Sequence, residues 1–407
     1  MFTHSRPVLL SLMAIAAVFA AGKEAKSAKT AAPAHGVKTP GVLIPYTTLK
    51  SDAEIVLDAP PAGFLFTDAI QIAGAGGIRR FDAATNKPFE PSRDIKGVDK
   101  PCGGLLNAFS FVWTPSCATS TLAKLEMRPV TRPGGGRGGG RGPGGGGGGR
   151  PPADAPKPDA PKPDAPNPEM AKPEAPKPDA AKAEPPPAPR PFPPPAPPAP
   201  PVFIGVGSAP VAATALAASD DSVWMLSDAK TSLLRVDPTT NEIVAEMRLP
   251  TACSSILSAE KALWVTCPSE NRVIRIEPKT NLVEKRIEVA AEPVSVAFGE
   301  GSIWVLGRKE GKISRIDPKT NKVTATIDLS IPNADGTLAF GEGFLWASAP
   351  GFPVMRITPA NDKVAQQFHG EGGGIIHFGL GSIWVASAKS GTVTRFDPKR
   401  ILATLAE

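Results

Sequence analysis

His369, Glu371 and His377 fall within nine residues of one another and supply the side-chain types used for proton transfer and for holding a divalent ion. His369-Gly-Glu371 runs into Gly372-Gly373-Gly374, which predicts an exposed loop where a general base or metal ligand would be accessible. His377 reads differently. It stands where Leu257, Ala297 and Ala339 stand in the repeats described below, which predicts a packed, hydrogen-bonded histidine on an inner strand. The chain has no Gly-x-Ser-x-Gly elbow, no phosphate-binding glycine loop followed by lysine, and no His-Glu-x-x-His. Arg308, Lys309, Glu310 and Phe352, at turns expected on one face, are the candidates for ligand recognition.

The four cysteines are placed in parallel. Cys102 precedes Trp113 by eleven residues and Cys117 follows it by four, while Cys253 precedes Trp264 by eleven and Cys267 follows it by three. Of the three pairings that four cysteines allow, this parallel favours Cys102 with Cys117 and Cys253 with Cys267. Neither pair has the Cys-x-x-Cys spacing typical of zinc sites.

A repeat must position all of these residues. Trp224, Trp264, Trp304, Trp346 and Trp384 step by 40, 40, 42 and 38 residues, each inside a short β-rich segment. Thirteen residues after most of them comes an acidic residue followed by proline: Asp237-Pro-Thr-Thr-Asn241, Glu277-Pro-Lys-Thr-Asn281, Asp317-Pro-Lys-Thr-Asn321 and the truncated Asp397-Pro-Lys399. Proline fixes φ there, and the acidic side chain can bond backbone N–H groups ahead of it. Each unit reads as four antiparallel strands, the size of a propeller blade. Gln71 takes the Trp position of a first unit and Trp113 that of a second. The 111 residues from Trp113 to Trp224 then make one period plus 71 extra residues. The tryptophans are expected to wedge between blades rather than stack on a ligand.

These observations predict an all-β fold, a seven-bladed β-propeller of four-stranded antiparallel blades with a long disordered Gly/Pro-rich insertion in blade 2. Residues 50–130 and 202–407 form the propeller, and residues 131–201 form the insertion. Ile401 to Leu405 is expected to continue the last blade as its outer strand, with Glu54 to Leu57 at an edge or closing elsewhere. The insertion holds many of the chain's 48 Pro and 40 Gly, a composition that cannot bury a core. Its Arg132, Arg137, Arg141 and Arg150, spaced among glycines, are a candidate contact for an anionic polymer.

The first 20 residues read as a cleavable signal peptide, with residues 21–49 a disordered linker. Export to the periplasm or beyond follows from that reading and agrees with paired cysteines. No segment predicts a transmembrane span, and a net charge of +6 with dispersed charges gives no reason to expect a specific nucleic-acid partner. A monomer is expected.

The units Gly301-Ser-Ile-Trp-Val305 with Gly311-Lys-Ile-Ser-Arg-Ile-Asp317-Pro-Lys-Thr-Asn321, and Gly381-Ser-Ile-Trp-Val385 with Gly391-Thr-Val-Thr-Arg-Phe-Asp397-Pro, resemble the YVTN-type propeller repeats of exported bacterial proteins. They are also similar to streptogramin B (virginiamycin B) lyases. The resemblance covers roughly residues 50–130 and 202–407. For the lyases it implies a magnesium-assisted elimination that opens a cyclic depsipeptide, at histidines and glutamates of late blades. His369, Glu371 and His377 lie in the comparable region, in an order that departs from the Glu-x-His arrangement. Two functions are therefore expected in turn. The first is a non-catalytic binding or scaffold propeller without a cofactor, taking a small molecule, peptide or envelope component on its loop face. The second is a lyase-like enzyme using Mg2+ at His369 and Glu371.

Overall fold

The computed structural model describes residues 42–74, 76–126, 199–207, 216–227, 231–387 and 389–404. The expected signal peptide, the linker as far as residue 41 and residues 131–198 of the insertion lie outside them. Contacts separate residues 128–199 from the unit formed by residues 1–127 and 200–407. The latter unit is a ring of seven sheets.

Blade 5 shows how the repeat folds. Pro293–Gly299, Ser302–Gly307, Lys312–Asp317 and Lys322–Asp328 pair antiparallel in chain order. The second strand is nearly all apolar and buried on both faces, while the third and outer strands carry polar residues among the apolar ones. Trp304 is 0% exposed, and its Nε1 donates to the Gly299 carbonyl at 3.0 Å. All six tryptophans are buried in this manner, each indole N–H satisfied five residues upstream. Gln71 takes the same place in blade 1, donating to Thr67 Oγ1. Glycine at position 299 is obligatory because an added Cβ would lie 2.0 Å from the Phe340 ring of blade 6.

Seven apolar clusters bind neighbouring blades, and each draws on two adjacent sheets. One joins Ile313 and Leu306 of blade 5 to Leu345 and Met355 of blade 6. Another joins Trp384 and Val393 of blade 7 to Ile70 and Phe81 of blade 1, so the ring is closed. Closure leaves no sheet face open.

The two chain segments flanking the insertion meet in one blade. Thr121–Glu126 pairs antiparallel with Val202–Gly205, with Lys124 opposite Val202. The insertion therefore replaces the turn between the third and fourth strands of blade 2, as expected.

Three features depart from the sequence reading. The fourth strand of blade 7 is Ala53–Val56, antiparallel to Thr392–Phe396, whereas Pro398–Ala403 is an α-helix. The reason is local. Asp397 accepts from the Lys399 N–H as an N-cap with Pro398 in the first turn, and the Asn that ends the other turns is replaced by Ile401. Asn241, Asn281 and Asn321 adopt φ near +60°, a left-handed conformation closed to a β-branched residue. Second, the linker expected to run to residue 49 ends earlier, because Val42–Pro45 adds a parallel fifth strand to blade 6. Third, blade 1 has three regular strands. Its outer edge is covered by single bridges from Pro88 and Ile95, since Pro88 and Pro91 interrupt a regular ladder.

Acidic-Pro turns also do more than reverse the chain. Arg275 of blade 4 lies over its own Trp264 and donates from Nη1 to Pro318 O and Asn321 Oδ1 of blade 5, at 2.6 and 2.8 Å. Arg315 does the same to Pro359 and Asp362 of blade 6, Lys124 to Pro238 and Asn241 of blade 3, and Arg395 to Ala83 and Asn86 of blade 1. These cations clamp blades 2, 4, 5 and 7 to the turn of the following blade through charge-assisted hydrogen bonds. Where blade 2 carries the insertion instead of a turn, Arg80 of blade 1 pairs with Asp68 of its own blade.

Candidate functional site

First and third strands run one way in every blade, second and fourth strands the other. Loops entering first strands therefore share a face with the turns joining second to third strands. Both disulfides, Cys102–Cys117 and Cys253–Cys267, join such a loop to such a turn, so they mark this loop face as the pairing parallel anticipated.

Between blades 6 and 7 the face opens into a cleft of about 700 Å3. One wall is the loop Gly370 to Gly373 carrying Glu371, and the other is the blade 7 turn carrying Ser387, Lys389 and Ser390. Tyr46, at the end of the added N-terminal strand, and Thr394 complete it. Gly373 has φ +85° and lies so close to Pro353 and the Ala349 carbonyl that a Cβ would collide with them. The Tyr46 phenol is pushed up to about 12 by burial, against a lowering hydrogen bond from Thr394. Its ring meets Phe396 edge-on at 5.8 Å.

Of the residues singled out from sequence, Glu371 alone lines this cleft, and it is exposed. His369 is not on a loop. It ends the outer strand Lys363–His369 of blade 6, half-buried and opposite Pro45. His377 lies on the innermost strand of blade 7, opposite Trp384. One ends the outer strand of blade 6 and the other lies on the innermost strand of blade 7, so the two histidines belong to different parts of the structure.

The His377 ring packs against Phe64 at 5.0 Å and Phe66 at 6.5 Å, and it has no hydrogen-bond partner among the described residues. The expectation of a packed histidine therefore holds, and that of a hydrogen-bonded one does not. The residue is half-buried overall, but its imidazole is enclosed, and burial pulls its pKa from 6.5 to about 4. The unfolded chain protonates this group near pH 6.5 and the folded protein only near pH 4. Stability is thus complete above pH 6.5 and falls as pH is lowered toward 4, by up to about 3 kcal/mol. Urea midpoints measured across that range should fall less steeply in His377→Leu than in the parent, and parallel curves would refute this assignment.

The recognition candidates are also distributed. Arg308 bonds Glu292 Oε2 through Nε and Nη2 at 3.0 and 2.8 Å, which raises its pKa, and it lies 3.9 Å from Asp335. It ties together the loops on either side of blade 5. Glu310 pairs with Lys312 at 2.8 Å, and Lys309 is exposed. Phe352 does not belong to the face: it is 5% exposed and packs in the cluster between blades 5 and 6. It opens the strand Phe352–Thr358 directly after the turn glycine, which turns its ring inward.

Among the described residues, no group of three or more His, Cys, Asp or Glu side chains is arranged to hold a metal ion. With His369 on an outer strand, Glu371 in the cleft and His377 enclosed by phenylalanines, these three do not fit a shared Mg2+.

Sequence reasoning missed Tyr46, Ser387, Lys389, Ser390 and Thr394. The motif of the clamp was legible, since Arg235, Arg275, Arg315 and Arg395 each stand two residues before the acidic turn residue. The cleft had no such signal.

No family model matches the chain, and no curated protein matches it. Among solved structures it is similar to virginiamycin B lyase from Staphylococcus aureus, with a TM-score of 0.55 and 16% identity over 84% of this chain and 97% of that one. A streptogramin B lyase structure gives a TM-score of 0.57 and 15% identity over 84% and 96% of the two chains. At such identity, what the proteins share is the seven-bladed propeller fold.

Proposed function

We propose that the protein is an exported, non-catalytic binding propeller that takes its ligand on the loop face, in the cleft between blades 6 and 7. The observation that carries this reading is the cleft's lining: one carboxylate, one ammonium, several hydroxyls and an aromatic wall, contributed by three separate chain segments. Such a set orients a ligand through single contacts. The two disulfides support an oxidising compartment. Among the described residues no helix is long and apolar enough to cross a membrane.

The fold likeness motivates a second reading, an elimination of the streptogramin B lyase type. Incubating the purified protein with a streptogramin B and Mg2+, beside chelator controls, separates the two. The expected result is an intact cyclic depsipeptide by mass. A linear product that disappears in His369→Ala would replace the binding reading with the enzymatic one.

A further inference from the structure

The cleft's hydrogen-bonding capacity is asymmetric. On the blade 7 side, Ser387 Oγ accepts from the backbone N–H groups of Lys389 and Ser390 at 3.2 and 3.3 Å, and Ser390 Oγ accepts from the Thr392 N–H at 3.4 Å. A hydroxyl that is accepting from backbone still has its own proton to donate outward. Those two protons and the Lys389 ammonium make this wall a set of donors. On the other wall the Glu371 carboxylate supplies acceptor oxygens.

Between them, the Tyr46 ring meets Phe396 edge-on and adds an aromatic surface to the lining. The glycine loop adds backbone without side-chain bulk: Gly370 and Gly373 both lie where a Cβ would press on a neighbour. The occupant that satisfies an acceptor wall and a donor wall at once is a zwitterion.

We propose that the cleft binds a short peptide by its two charged ends, the terminal ammonium at Glu371 and the terminal carboxylate at the Ser387, Lys389 and Ser390 turn. This rests on the reading of the loop face as a binding surface and adds the ligand class. The volume of about 700 Å3 lies within the range of small-molecule sites and suits a few residues with small side chains.

Calorimetric titration of the purified full chain with alanine peptides of two to five residues tests it, each used free, N-acetylated and C-amidated. Binding of at least one free peptide is expected, weakened about tenfold by capping either end. Glu371→Gln should abolish the discrimination against acetylation alone, and Lys389→Met that against amidation alone. Both residues are exposed, so the variants should melt like the parent. Absence of binding for every free peptide, equal binding of capped and free forms, or variants that keep both discriminations would each overturn the proposal. If instead a bound peptide were chemically altered during the titration, the site would stand and the non-catalytic reading would fall.

Discussion

Trp304→Ala should destabilise the ring by about 3–5 kcal/mol, the cost typical of truncating a fully buried aromatic side chain. Trp304 is 0% exposed in the cluster joining blades 5 and 6, the Arg315 guanidinium lies 4.8 Å from its ring centroid, and its indole donates to Gly299 O. The substitution removes the wedge and the seat of the cation that reaches Pro359 and Asp362 in the next blade. Two adjacent blades therefore loosen together. Urea denaturation should show a lower midpoint, while Leu380→Ala, at an exposed turn residue, should shift it by no more than about 0.5 kcal/mol. A loss below 1 kcal/mol for Trp304→Ala would mean that the tryptophans do not hold the blades together.

Removing both disulfides should have an effect of similar size. They close loops of 15 and 14 residues, and each such loop contributes about 3 kcal/mol by restricting the unfolded chain, about 6 kcal/mol for the pair. Cys253 and Cys267 also sit in the core between blades 3 and 4, at 1% and 0% exposure, so alanine is the cleaner replacement there. The four-alanine variant should melt well below the parent, and the parent with a reductant should approach it. A reductant that leaves the melting temperature unchanged would contradict the assignment of the pairs to native stability.

The sequence made the ring legible because its signals are periodic. Tryptophans at a constant spacing mark second strands, Asp-Pro and Asn mark the turns, and both physical roles recur in blades 3 to 5 with little variation. Even the interrupted blade could be read, since Val202 resumes the pattern that stops near Glu126. Legibility failed where an element occurs once. Ile401 to Leu405 alternates well enough for a strand, and only the missing left-handed Asn position after Asp397-Pro398 indicates the helix instead. The N-terminal strand Val42–Pro45 has no counterpart in other units, and it brings Tyr46 to the cleft. The site was therefore invisible in part: Glu371 could be picked by its residue type, whereas Lys389 and the hydroxyls gain meaning only from the blade that faces them. His377 was placed correctly by alignment, but its lack of a hydrogen bond depends on Phe64 and Phe66, some three hundred residues away in the chain.

The claim beneath these arguments is that the segments on either side of residues 131–201 build one closed ring. A protease site placed within that stretch, cut to completion, tests it. Each disulfide lies wholly within one fragment, so no covalent bond would remain between the two. The pairings of Thr121–Glu126 with Val202–Gly205 and of Ala53–Val56 with Thr392–Phe396 should keep the fragments together. Size-exclusion chromatography in native buffer should give a single peak at the mass of the uncut chain, separating only in denaturant. Two peaks in native buffer would contradict the ring.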